Sequence, residues 1–135
     1  MYYELRAENF VMELRLEIFK SDIELPVNSS LEIFIESDGF SAKTTMDLDV
    51  KDFAKFAVDL QELHEQLKGK ARIEEPYNAH NYIEFKGIGR GIINVSGHLN
   101  NHNRSGYEQE LKFENEFDQT YLKTIANRVV QDVRL

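Results

Sequence analysis

Apolar and polar residues alternate along most of this chain, and the longest alternation runs from Tyr107 to Phe117. Tyr107, Gln109, Leu111, Phe113, Asn115 and Phe117 occupy one set of positions. Glu108, Glu110, Lys112, Glu114 and Glu116 occupy the other. A period of two is that of a strand with one buried and one solvated face. The stretch therefore predicts a core side made of Tyr107, Leu111, Phe113 and Phe117, and a water-facing side that carries four carboxylates.

The same period marks further strands. Met1 to Ala7 reads as a short one and Phe10 to Phe19 as a stronger one, with Phe10, Met12, Leu14, Leu16 and Ile18 on one face. Pro26-Val-Asn-Ser-Ser reads as a loop. Leu31 to Glu36 and Phe40 to Leu48 flank Ser37-Asp38-Gly39, a hairpin turn in which Asp-Gly takes positive φ at little cost. Ala71 to Glu75, Tyr82 to Phe85 and Ile92 to Leu99 follow, with Gly87, Gly89 and Gly91 as turn and bulge positions and Asn100 to Gly106 as a turn.

The period changes to that of a helix twice. Phe53, Phe56, Ala57, Leu60, Leu63, His64 and Leu67 recur at helical spacing, with Asp49 and Asp52 in capping-box positions and Gly69 as a stop. Tyr121, Leu122, Ile125, Ala126, Val129 and Val130 form a second stripe behind an Asp118 cap. With short connections, this order predicts an α+β fold. It is a mainly antiparallel, curved sheet of about seven to eight strands, with amphipathic helices over residues 50–68 and 118–132. Helices covering one face of an open sheet and a partial barrel both satisfy the pattern.

At 135 residues the chain has the size of one domain, spanning 1–135, and buries a core without metal or disulfide staples. It has no Cys, which excludes thiol nucleophiles and Cys-ligated zinc and fits a reducing compartment. Residues 1–10 lack a basic segment followed by an apolar one, and no apolar run approaches the ~18 residues of a membrane span. A cytoplasmic protein is the expectation. The excess of 24 acidic over 16 basic residues, a formal charge of −8, disfavours nucleic-acid backbones and anionic membranes and suits a basic protein partner.

Candidate chemistry is sparse. His98 and His102 are four apart, but their turn-like surroundings remove the helical argument for a shared metal. His80, in Tyr77-Asn-Ala-His-Asn-Tyr82, could act as a general base but also suits a plain connection, and His64 reads as a core-edge residue. Gly87-Ile-Gly-Arg-Gly91 precedes a strand, not the helix that a dinucleotide loop opens. Ser41, Ser96 and Ser105 have no nucleophile elbow around them. No cofactor and no metal is expected. The glutamate row is different, because its geometry follows from the strand period: neighbours on one face lie roughly 6.5–7 Å apart and repel unless cationic neighbours offset them. Glu108, Glu110, Glu114 and Glu116 are therefore the candidate partner-binding residues, against the alternative of a solvated or charge-guarded edge.

Two segments taken together resemble a known family. Gly89-Arg-Gly-Ile-Ile-Asn-Val-Ser-Gly-His-Leu99 and Leu111-Lys-Phe-Glu-Asn-Glu-Phe-Asp-Gln-Thr-Tyr-Leu122 are similar to small bacterial WapI-type immunity proteins. Asp47-Leu-Asp-Val-Lys-Asp-Phe-Ala-Lys-Phe56 fits the same pattern, and the similarity covers about residues 45 to 130. The resemblance implies a non-catalytic protein that neutralises a cognate toxin, often a nuclease domain, by binding it. The alternative is a small-ligand domain or enzyme that uses His80, His98 or His102 with a nearby carboxylate. A deep cleft holding such a pair within ~3 Å would mark it.

Overall fold

The computed structural model describes residues 1–76 and 81–133. Tyr77 to His80, and with them the candidate base His80, lie outside the described residues. Four strands come first: β1 (Tyr2–Arg6), β2 (Phe10–Ile18), β3 (Ser29–Ser37) and β4 (Phe40–Leu48). Helix α1 (Val50–Gln66) follows, then β5 (Lys70–Glu74), β6 (Tyr82–Gly87), β7 (Ile92–His102) and β8 (Glu108–Asp118). Helix α2 (Lys123–Val133) ends the described chain. The α+β fold and the two helices are as the periodicity predicts. The eight antiparallel strands divide into two four-stranded meanders, β1-β2-β3-β4 and β5-β6-β7-β8, that do not close into a barrel.

The strand period explains why the sheets face each other. Each turns one apolar side inward: Tyr3, Phe10, Met12, Ile33 and Met46 from the first sheet, Ile83, Phe85, Val95, Phe113 and Phe117 from the second. All belong to one continuous core cluster that also takes in Phe53, Phe56 and Leu60 of α1 and Ile125 and Val129 of α2. Helix α1 packs on β5 and on α2, and α2 reaches β1, so each helix lies against the sheet that it does not follow directly in sequence or at its far edge. β4 faces β7 and β8 on the other side.

Local sequence sets the ends. Asp38 and Gly39 both take positive φ (47° and 87°), the two-residue hairpin turn that Asp-Gly favours. Asp49 caps α1, but its side chain accepts from the Lys51 N–H, and Asn28 supplies the second cap by accepting from Val50 N at 2.8 Å. Asn28, expected in a loop, is thus a buried tie between that loop and the helix start. The helix stops at Leu67, itself left-handed (φ 58°), two residues before Gly69. The Leu67 N–H still bonds the Leu63 carbonyl, and Gly87 of β6 passes so close to this end that a Cβ there would sit 2.5 Å from the Leu67 carbonyl oxygen. Asp118 caps a short 3-10 turn, Gln119–Leu122, which leads into α2.

Four expectations change. β3 begins at Ser29, and β7 runs on through Asn100 and Asn101 to His102, because these polar residues pair in register with Leu48 and with Glu110, Gln109 and Glu108. Tyr107 is not core: it is 71% exposed, since the β7–β8 hairpin overshoots the first sheet and residues 101–110 have water on both faces. Tyr121 is likewise exposed, in the 3-10 turn rather than on the α2 stripe.

Gly97, in the middle of β7, makes room for the Phe113 ring: a Cβ there would lie 2.6 Å from Phe113 Cζ and 2.5 Å from the Tyr82 carbonyl oxygen. Gly97→Ala should therefore cost about 1–3 kcal/mol of stability by overpacking, read as a lower urea midpoint at unchanged m-value; an unchanged midpoint would show that the ring has space to retreat. The Asp49 and Asp118 carboxyls are held below the ordinary carboxylate value, chiefly by the backbone N–H groups of Lys51 and Thr120. Their contribution is complete above the unfolded value of about 3.9 and is lost as pH falls through the lower folded value. The stability advantage of the wild type over Asp49→Asn/Asp118→Asn should hold at pH 7 and fade below about pH 4 in thermal melts; an advantage that grows on acidification would contradict it.

Candidate functional site

β8 is an edge strand, paired only to β7. Phe113 and Phe117 anchor its inner side in the core and Leu111 is half-buried there. The strand period then forces Glu108, Glu110, Lys112, Glu114, Glu116 and Asp118 outward together, and all six are exposed. The register places them opposite His102, Asn100, His98, Ser96, Asn94 and Ile92. No Lys or Arg stands across from any of the four glutamates. Instead, neutral side chains steady them: Asn100 Nδ2 donates to Glu108 Oε1 at 3.2 Å, and Asn94 Nδ2 to Glu114 Oε2 at 3.0 Å.

Some surface acids elsewhere have cationic partners. Lys43 pairs with Glu32, Lys55 with Asp59, Lys70 and Arg72 with Glu84, and Arg6 with Glu4 and Glu13. Among the described residues, Glu108, Glu114 and Glu116 have no cationic side chain within 4.0 Å, and Lys112 pairs with no carboxylate. The row is predominantly acidic, four glutamates and Asp118 against the single Lys112.

The structure brings one histidine to this strip. His98 Nε2 lies 2.9 Å from Glu110 Oε2, on the open outer face of the sheet, with the Glu110 side chain 62% exposed. The distance matches an acid–base pair, and the Glu110 side borders a shallow depression of about 220 Å³ shared with Ser41, Lys43 and Gln109. His102 shares that face farther along β7 and is exposed, while His64 is half-buried on α1. Gly89 and Gly91 (φ 97° and 73°) shape the β6–β7 turn. Among the described residues no group of three His, Asp or Glu side chains is placed to hold a metal ion, and no helix is long and apolar enough to cross a membrane.

A family model described as the immunity protein WapI-like family matches residues 27–134. The chain belongs to that family. No curated protein and no solved structure matches it. The match to the WapI-like family takes in β3 to α2, including all of β8 with its glutamates, while β1 and β2 precede it. It is also wider than the stretch over which the motifs alone are recognisable.

In this family member the sheets are also joined by polar residues that sequence reasoning missed. Glu75 is buried; its Oε2 accepts from Asp47 N at 2.7 Å and its Oε1 from Asn81 Nδ2 at 3.3 Å. Asn81 Oδ1 accepts from Asn100 N, and the Thr44 hydroxyl donates to the Asn100 carbonyl at 2.8 Å. These residues line a depression of about 360 Å³ between the sheets. Asn115 makes a second junction: its Nδ2 is 3.0 Å from Asn9 O, Ser37 Oγ and Asp38 Oδ2. The signal for Asn115 was visible as a polar residue among apolar ones on the inner side of β8; Glu75 and Asn81 carried none.

Glu75→Ala would leave the Asp47 amide and the Asn81 side chain without their acceptor in a buried place. The expected loss is about 1–3 kcal/mol, with Glu75→Gln losing less, measured by chemical denaturation. Equal stability of Glu75→Ala and wild type would mean that water replaces the carboxylate there.

Proposed function

We propose that this chain is an immunity protein that neutralises a cognate bacterial toxin in the cytoplasm by binding it, without catalysis, and that the outer side of β8 carries the contact. The partner is a basic domain, with a nuclease as the best fit. The observation behind this reading is the predominantly acidic row Glu108, Glu110, Glu114 and Glu116, with Lys112 alone among them, in a member of the immunity family. Nucleases carry cationic surfaces toward their substrate. A strip of carboxylates with neutral neighbours speeds encounter with such a surface and repels acidic competitors.

Edge position supports the same reading. The strip lies on an open, solvated strand and continues onto the end of the β7–β8 hairpin, where residues 101–110 are exposed. A partner can approach it without rearrangement of the core, which suits a protein that must act quickly on its target. The exposed His98–Glu110 pair fits this reading as well, as part of a polar binding face rather than an enclosed reaction centre.

The test begins with the reading frame directly upstream of this chain's gene, where a large secreted protein with a toxin domain at its C-terminal end is expected. Stopped-flow binding to that domain should slow by roughly tenfold or more when salt rises from about 0.05 to 0.5 M. Glu108, Glu110, Glu114 and Glu116 replaced together by Gln should slow it similarly at low salt, with the fold unchanged by circular dichroism. An on-rate indifferent to salt sinks the electrostatic part. Unchanged affinity of the four-site variant removes this face from the interface, and a metabolic operon in place of the toxin gene removes the immunity role.

A further inference from the structure

The β3–β4 hairpin holds an aromatic side chain that the core does not use. Phe40 pairs in register with buried Ser37, so it lies on the inner, core-facing side of the first sheet. Along β4 that side is buried at Leu48, Met46 and Thr44, half-buried at Ala42, and then open: Phe40 is 70% exposed. The facing sheet ends at β8, so the last inward residue of β4 hangs over an edge. Between them runs a groove of about 280 Å³ lined by Asp38, Phe40, Leu111, Lys112, Phe113 and Glu114. It has room for one long side chain and falls below the size of most small-ligand pockets.

Resting on the reading of β8 as the toxin-binding face, we propose that this groove is the socket for one arginine side chain of the bound toxin. The ring of Phe40 and the apolar flank of Leu111 and Phe113 suit the aliphatic stem and the flat guanidinium, which stacks on aromatic faces. Two of the lining residues carry a carboxylate: Asp38 at the hairpin turn, and Glu114, whose side chain lies on the outer side of β8. Asp38 spends Oδ2 on Asn115 and Glu114 spends Oε2 on Asn94; among the described residues Asp38 Oδ1 and Glu114 Oε1 have no partner. An aliphatic side chain would fill the groove while stripping water from these carboxylates without replacing its hydrogen bonds. A compact ammonium would satisfy them but stack poorly on Phe40. Lys112, which also lines the groove, opposes any cation, and the several donors of a planar guanidinium offset that repulsion better than a point charge does. The socket is also preformed, because Asn115 ties the Asp38 turn to β8.

The experiment measures the affinity of the upstream-encoded toxin domain for wild type, Phe40→Ala, Phe40→Leu, Phe40→Tyr and Asp38→Asn/Glu114→Gln. Thermal midpoints serve as the check that each variant is folded. Phe40→Ala and Phe40→Leu should both weaken binding roughly tenfold or more, Phe40→Tyr should restore it, and the carboxylate pair should weaken it in a way that added salt erases. If Phe40→Leu binds as wild type, the occupant is apolar and the arginine socket is wrong. If the four-glutamine variant loses binding but Phe40→Ala does not, the acidic face stands and the socket falls. If wild type does not bind the toxin domain, both fall. A wild-type dimer in sedimentation that Phe40→Ala dissociates would show that a second copy covers the groove, which also overturns the proposal.

Discussion

A relay of aromatic rings holds the two sheets and the first helix in one arrangement. Tyr3 of β1 meets Phe53 of α1, Phe53 meets Phe56, Phe56 meets Phe85 of β6, Phe85 meets Phe117 of β8, and Phe117 stacks on Phe10 of β2; successive centroids are 5.9, 6.1, 6.2, 6.3 and 6.0 Å apart. The relay starts and ends in the first sheet and passes through the helix and the second sheet between. Each such contact adds about 0.5–1.5 kcal/mol to the burial of the rings. More consequential is what it fixes. With Phe117 and Phe113 held against Phe10, β8 cannot slip by one residue without expelling both rings into water and bringing its carboxylates into the core. The direction of the glutamates is therefore set from the inside.

The same element order, four antiparallel strands and a helix, occurs twice, from Tyr2 to Gln66 and from Lys70 to Val133. No repeat in the residues marks the duplication, and the halves are not equivalent. Outward faces of the first sheet and of β5–β6 carry paired charges. The outward side of the last strand of the second sheet carries four glutamates and one lysine. In the WapI-like family to which the chain belongs, the matched region begins just before β3, yet the hairpin ahead of it supplies Phe10, which lies between Phe113 and Phe117.

Much of the fold was legible because alternation is a direct image of a half-buried strand. Phe113, Phe117, the Asp38-Gly39 turn, the α1 stripe and the outward glutamates all follow from local pattern. What was not legible depends on where one sheet stops relative to the other. Phe40, on β4, and Tyr107, just ahead of β8, both fall on the inward phase of the alternation and both stand in water, because each hairpin extends past the opposing sheet. Period two gives a side chain its direction; whether anything lies in that direction is a property of the assembled pair. The partition of eight strands into two sheets, and the polar junctions at Glu75 and Asn115, are likewise contacts between residues distant in the chain, with no spacing rule to announce them. Family membership was legible from motifs that include Gly97 and Phe113, which meet in the core, so what the motifs record is packing.

The open edge of β8 carries a further consequence, for contacts between identical copies. An edge strand of eleven residues with unpaired backbone groups is a template for joining a second such strand. In any antiparallel pairing of two β8 edges, the outer faces would align one glutamate row beside the other, with a single lysine from each copy to offset them. The row thus makes the strand selective in its company: it turns away its own likeness and leaves the edge available to a chain of opposite charge.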